Sequence, residues 1–156
     1  MKKILVLLAM AITFVGADAL KVSSDLSTLN RYAYENPHGK KLKISNLTRT
    51  IIVSFEKDTG KLVNEYLNDK YPPYMSKHKA VFIADINEMP SIITKLFALP
   101  KMRKYKHTIY LHNTEEFAKF VPSKEEKITV IKLQNGKVKS ISFISTEAEL
   151  KSALEN

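Results

Sequence analysis

The chain of 156 residues contains no cysteine and no tryptophan, and only four glycines and six prolines. Without a thiolate it cannot run dithiol exchange or peroxidatic sulfur chemistry. No disulfide can brace it either, so packing alone must hold the fold. The sparse glycine and proline exclude a collagen-like or low-complexity chain and mark no internal linker, and no internal repeat is visible. After the first twenty residues no apolar run is long enough to span a bilayer. Acidic residues are the minority: 16 Asp and Glu stand against 25 Lys and Arg, a formal charge of +9.

What is present begins with an address. Lys2 and Lys3 lead an apolar run over residues 4–16, and Ala17-Asp18-Ala19 forms an A-x-A pattern. This is the build of a secretory signal peptide over residues 1–19. As a membrane anchor it would be short, because a spanning helix needs roughly 20 apolar residues. Cleavage after Ala19 leaves residues 20–156, one domain's worth of chain with no membrane span. The short lysine-led start is of bacterial type, so a periplasmic product is expected. Losing Lys2, Lys3 and Asp18 takes the charge from +9 to +8. Such a balance steers anionic partners: in a periplasm an acidic protein, a lipid headgroup or an envelope polymer, with nucleic acid disfavoured by export. A lysine-rich surface with no specific partner is the plainer alternative. Asn46-Leu47-Thr48 is a glycosylation sequon, relevant only to a eukaryotic secretory route.

Hydrophobic periodicity supplies the elements. Leu26, Leu29, Tyr32 and Tyr34 predict a short helical turn or a packed arm. Asn36-Pro37-His38-Gly39 is a turn, and residues 40–45 alternate as a short strand. Residues 49–55 carry consecutive Ile51, Ile52 and Val53, the pattern of a central strand covered on both faces. A loop over 56–61 then leads to a helix over 61–71, with Leu62, Val63, Tyr66 and Leu67 on one face. Residues 79–86 read as a second central strand. A helix follows from 87–90, with Pro90 in its first turn and Ile92, Ile93, Leu96, Phe97 and Leu99 at helical spacing. Pro100 should kink or stop it. Residues 107–112 form a third strand, and Asn113 or Thr114 caps a helix with Glu115 and Glu116 in its first turn. Asn135-Gly136 between two alternating runs marks a β-hairpin, and Ser145 or Thr146 caps a last helix striped by Leu150, Ala153 and Leu154. Strands alternating with helices and closing on a hairpin predict an α/β fold with a mixed sheet.

The run "GKKLKISNLTRTIIVSF" (39–55) resembles the redoxin branch of the thioredoxin fold, which includes periplasmic thiol reductants and peroxiredoxins. There a Gly-Lys turn leads through a short strand and a Ser-x-Leu step to a hydrophobic strand ending in Phe. Lys57-Asp58-Thr59 is similar to the Lys-Asp-x-Thr stretch before a peroxidatic cysteine, and residues 127–154 are similar to the terminal hairpin and helix. The resemblance covers about residues 37–154. It implies a three-layer sandwich: a central mixed sheet flanked by helices, a closing hairpin and a C-terminal helix. It also locates two departures. The family's cysteine would fall near 60–63, which here reads Gly60, Lys61, Leu62 and Val63. The place of its cis-proline holds Glu125, Glu126 and Lys127, with Pro122 nearest. The chain thus resembles cysteine-less periplasmic members of unknown role. That resemblance implies a non-catalytic binding or accessory module with no thiol or peroxidase activity and no cofactor. The rival readings are a non-thiol enzyme or cofactor-binding protein using the crevice after the first central strand, and a basic envelope protein holding anionic surfaces.

Candidate residues follow. Glu56, Lys57, Asp58, Thr59 and Lys61 lie after a central strand and before a helix, where α/β sheets place ligands and helix amides attract anions; a solvated loop is the alternative. Lys101, Arg103, Lys104 and Lys106, interleaved with Tyr105, form the densest basic run, either a partner patch or a solvated helix end. His38, His78, His107 and His112 show no metal spacing, and alternation sends His107 and His112 to opposite faces. The acidic pairs Glu115-Glu116 and Glu125-Glu126 read as solvated, and no Ser-His-acid set converges. No metal is expected.

Overall fold

The computed structural model describes residues 19–156. The predicted export segment therefore lies outside the described residues, except for Ala19. The elements in chain order are α1 (Ser27–Asn30), β1 (Tyr34–Glu35), β2 (Lys41–Leu42), β3 (Thr50–Ser54), α2 (Lys57–Asn68), α3 (Tyr74–Lys77) and β4 (Ala80–Asp85). After these come α4 (Ser91–Ile93), a π-helical turn (Thr94–Ala98), α5 (Leu99–Met102), β5 (Tyr110–His112), α6 (Glu115–Phe120), β6 (Ile128–Gln134), β7 (Lys137–Ile144) and α7 (Glu147–Glu155).

Every residue of β3 and of β4 is buried. Apart from polar residues at their ends, both are unbroken apolar runs, 51–53 and 80–84, which suit parallel strands covered on both faces. Both are central in a seven-stranded sheet ordered β2-β1-β5-β4-β3-β6-β7. β4 lies parallel to β3 and to β5, while β6 runs antiparallel to β3 and β7 to β6. Alternation along each strand feeds two cores. Ile52, Phe82, Val130 and Ile128 face Val63, Tyr66, Leu67, Leu150 and Leu154, the buried side chains of α2 and α7. Ile51, Val53, Ile83 and Ile131 face Phe117 and Phe120 of α6 and the N-terminal Leu20, Leu26 and Leu29. This is the α/β three-layer sandwich with a mixed sheet expected above.

The local signals for the closing elements hold. Asn135 and Gly136 both take positive φ, 53° and 76°, as a tight hairpin turn requires. The Thr114 hydroxyl accepts from the Phe117 N–H, and Thr146 with Glu149 forms a reciprocal capping box. The strand expected over 40–45 shortens to Lys41–Leu42. Beyond it the Asn30 side-chain amide both donates to and accepts from the Ile44 backbone at 2.9 Å, taking the place of a neighbouring strand.

Five expectations are corrected. The loop predicted over 56–61 is the first turn of α2, which starts at Lys57: Gly60 N–H already bonds Glu56 C=O at 3.0 Å. Gly60 reads as a turn signal but serves close approach, since a Cβ there would stand 3.3 Å from Ser54 Oγ. The same helix ends at Asn68, not near Tyr71, and a further short helix, α3, buries Tyr74 and Met75. Pro90 is the residue before α4, not within its first turn, and Pro100 does not stop the following helix. The Leu99 N–H reaches back to Thr94 C=O, and this widened π turn gives the Pro100 ring room. β5 spans only Tyr110–His112, with His107 in the approach to it.

Candidate functional site

The carboxyl ends of β3 and β4 open into a cleft of about 760 Å³ between α2 and the helical stretch of α4, the π turn and α5. Its walls include Phe55, Ile86, Met89, Ile93, Phe97 and Met102. The far wall is unusual. Ile92, Ile93, Leu96, Phe97 and Leu99 stand at the helical spacing expected, but only Leu99 packs on the core. Ile92, Leu96 and Phe97 are 63 %, 61 % and 64 % exposed. The helix stands off the sheet and is anchored through Leu99, Met102 and Tyr105, so an apolar surface runs from inside the cleft onto the outside of its wall.

The sequence-predicted residues divide. Glu56, Lys57 and Lys61 line the cleft. Asp58 is exposed away from it, and Thr59 is buried with its hydroxyl donating to Glu56 C=O at 3.1 Å. Glu56 Oε1 accepts the Glu126 N–H at 2.8 Å, tying the start of α2 to the loop before β6. Lys61 lies 3.9 Å from Glu65 with both side chains more than half exposed. Residues 60–63, where the resemblance placed the missing cysteine, sit inside α2, and the strand-to-helix junction itself is Phe55 to Lys57. Of the basic run, Lys101 faces the cleft. Arg103 Nε donates to Pro37 C=O at 2.9 Å, and Lys104 and Lys106 are exposed outside the cleft.

Sequence reasoning missed two buried polar groups. Asp85, at the carboxyl end of β4, is buried on the cleft wall. Burial pushes its carboxyl up to about 6, with the nearby Glu88 charge adding to the rise and the Asn87 N–H, donated at 3.1 Å, opposing it. Its position at the end of a central parallel strand was the available signal. Asn64 of α2 is the other: its Oδ1 lies 2.8 Å from His107 Nε2. That contact places the proton on Nε2 and leaves Nδ1, buried, with no partner among the described residues. Burial pulls His107 down to about 4, so the ring is neutral at pH 7. His112 lies on the other side of the sheet, among Tyr32, Tyr34 and Phe117, held by Ala33 C=O and the Thr114 hydroxyl. The two histidines therefore sit on opposite faces as expected.

Three carboxylates (Glu56, Asp85, Glu88) and three lysines (Lys57, Lys61, Lys101) line the cleft, so its charge is balanced and its walls are mainly apolar. Such a site can hold an apolar body and hydrogen-bond it at the rim.

No family model and no curated protein sequence matches this chain. Solved structures do. Peroxiredoxin Q of Xanthomonas campestris aligns at a TM-score of 0.53 and 12 % identity, covering 88 % of this chain and 98 % of that one. An uncharacterized thioredoxin-like protein of Porphyromonas gingivalis aligns at 0.52 and 18 %, covering 80 % and 87 %. The Xanthomonas campestris bacterioferritin comigratory protein, studied for alkyl peroxide reduction, aligns at 0.52 and 10 %, covering 87 % and 96 %. At these identities the likeness concerns the fold: the chain has the thioredoxin-like fold, with peroxiredoxin-type structures among its neighbours, and carries it without a single cysteine.

Proposed function

We propose that this chain is an exported, periplasmic accessory protein that docks an apolar segment of another polypeptide in the cleft between α2 and the 91–102 helical stretch, without redox chemistry. The observation that carries this reading is the continuity of apolar surface from Phe55 and Met89 inside the cleft, through Phe97 on its wall, to Ile92 and Leu96 outside it. A contiguous exposed apolar patch of this kind marks an interaction surface. A small guest would fill the cleft and leave the outer side chains in water, whereas a polypeptide segment covers both. The balanced charge of the lining argues for attachment by apolar burial instead of ion pairing. The absence of any thiol removes the chemistry of the peroxide-reducing neighbours.

The chain carrying Leu96→Ser and Phe97→Ser, compared with the unaltered chain on periplasmic extract, tests this. The unaltered chain should recover a protein that stays bound at about 0.5 M salt, where charge attraction is screened within a few ångströms. Mixed with that protein, it should show slowed amide exchange over residues 89–102, and the double variant should do neither. Equal recovery by both chains, or recovery lost with salt alone, overturns the reading. Mass spectrometry of the exported chain should find Leu20 as its first residue.

A second reading is favoured by Asp85. A buried carboxyl titrating near 6 at the wall of a roughly 760 Å³ cleft suits a small amphipathic ligand or cofactor with a hydrogen-bonding end. Native mass spectrometry that shows a small molecule carried by the purified chain, displaced in Phe97→Ser, would favour it over polypeptide docking.

A further inference from the structure

The opposite end of the same strands holds a second concavity, of about 790 Å³, with a different chemistry. Arg49 and Lys79 precede β3 and β4, Lys132 and Lys139 come from β6 and β7, and Lys77 and His78 from the end of α3. Topology explains the gathering: β3 and β4 begin here, and antiparallel β6 ends here, so residues distant in sequence meet at one sheet edge. Glu155 is the only acidic side chain lining it, and its Oε2 is engaged by the Tyr74 hydroxyl at 2.8 Å. Among the described residues, none of the five lysine and arginine side chains lies in a salt bridge with a carboxylate. Each other acid–base pair found in the molecule is elsewhere.

Two details distinguish this concavity from a merely lysine-rich surface. Lys132 is partly buried, and its ammonium donates to the Thr50 hydroxyl at 3.1 Å and to the Ala153 carbonyl, neutral acceptors that position the cation without neutralising it. His78 is oriented by a 2.7 Å contact from Nδ1 to Tyr74 C=O, which fixes a proton on Nδ1, so that Nε2 donates to an anion when the ring takes up its second proton. Packing like charges around one hollow raises the electrostatic energy of the empty protein, and an anion with several charges relieves it at a stroke. Lysines act on phosphoryl groups as point charges and arginine as a planar fork, so a mixed set suits a ligand with more than one phosphoryl group.

We infer that the hollow formed by Arg49, Lys77, His78, Lys79, Lys132 and Lys139 is a binding site for a soluble anion bearing two or more linked phosphoryl groups. It is separate from the apolar cleft and does not depend on what that cleft docks.

Titration calorimetry on the full mature chain tests this, with tripolyphosphate, pyrophosphate and orthophosphate as probes in about 0.15 M salt, where the Debye length is about 8 Å. Saturable one-site binding should strengthen in the order orthophosphate, pyrophosphate, tripolyphosphate. The variant Lys79→Asn with Lys139→Gln should weaken tripolyphosphate by about tenfold or more, since each removed charge lies in the hollow. Asparagine is chosen because Lys79 has φ +51°, which asparagine tolerates. The control, Lys40→Gln with Lys41→Gln, removes the same net charge from the β1–β2 turn and should change affinity less than about twofold, as expected for remote exposed charges. Equal weakening in the two double variants would show a net-charge effect and overturn the site, as would the absence of saturable binding. A third arm uses phosphatidylcholine vesicles doped with phosphatidylglycerol. Vesicle binding that is lost in Lys79→Asn/Lys139→Gln, with no binding of soluble tripolyphosphate, would assign the charges to a membrane surface and overturn the proposal as well.

Discussion

The two ends of the central strands differ in kind, although the same backbone builds both. At the carboxyl ends of β3 and β4 lies a mainly apolar cleft whose charged lining is balanced, three acids against three lysines. At their amino ends lies a polar hollow with five lysine and arginine side chains against one acidic side chain. Sheet topology decides where each concavity opens, because parallel strands must hand over to connections at both edges. It does not decide what each concavity holds. That is set by a few terminal residues: Ser54, Phe55 and Asp85 at one edge, Arg49 and Lys79 at the other. The strongly basic composition of the chain is thus not spread evenly, and the end of the sheet that opens into the apolar cleft is the less basic of the two.

The sharpest test of this contrast is the buried acid of the cleft, set against His107, the half-buried partner of the cleft-lining Asn64. Asp85 is raised from 3.8 to about 6 in the folded chain. Its contribution to stability is present below pH 4 and is lost as pH rises through 6. His107 is lowered from 6.5 to about 4. Its neutral form is favoured by the fold, so stability is present above pH 6.5 and is lost as pH falls through 4. The two slopes oppose each other over the same window. The unaltered chain should therefore show a nearly level urea midpoint between pH 4 and 6.5. Asp85→Asn should be more stable at pH 7 and should lose stability steeply on acidification. His107→Gln should show the reverse slope. Parallel profiles for all three proteins would mean that neither group is buried as described.

A smaller effect is expected where α2 meets β3. Gly60 stands against Ser54, itself almost fully buried, with space for no more than a grazing methyl. Gly60→Val should push α2 off the strand end, destabilising the fold by about 1–3 kcal/mol as overpacking does, and should narrow the cleft. Gly60→Ala sets the helical preference for alanine against the same contact and should lie close to the unaltered chain. Unfolding midpoints in urea measure both. A valine variant as stable as the alanine one would show the junction to be looser than the strand-to-helix contact implies, and with it the cleft's floor.

The legibility of the sequence followed the same division. Elements fixed by local chemistry were readable: Asn135-Gly136, the Thr114 and Thr146 caps, and the unbroken apolar runs of β3 and β4 each specify their conformation within a few residues. Several of the differences fall at the cleft. Residues 56–61 predict a loop, whereas only the neighbouring strand shows that Gly60 permits the close approach of a helix. The spacing of Ile92, Ile93, Leu96 and Phe97 predicts the helix and leaves its exposure open, since periodicity reports amphipathicity and not what covers it. Pro100 predicts a kink or a stop, and spacing alone does not reveal the π turn that lets the helix run on through it. Asp85 and Asn64 carry no motif at all; tertiary burial alone makes them notable. The cationic hollow was illegible for the same reason, its members lying between residues 49 and 139 and meeting only through the antiparallel return of β6.

The smallest expected effect is also diagnostic. Leu96 is 61 % exposed, while Leu99, three residues on, packs against the core. Leu96→Ser should change stability by no more than about 0.5 kcal/mol, the usual range for surface substitutions. Leu99→Ser should cost about 2 kcal/mol or more, since it removes a packed side chain. Both changes lower apolar content alike, so the ratio between them reads the orientation of the helix directly. Fluorescence of an apolar dye should fall in Leu96→Ser, which loses exposed surface. If Leu96→Ser were as damaging as Leu99→Ser, the helical stretch would be folded down onto the sheet and the cleft closed. The two ends of the sheet would then differ in charge alone, and the apolar site would have no wall.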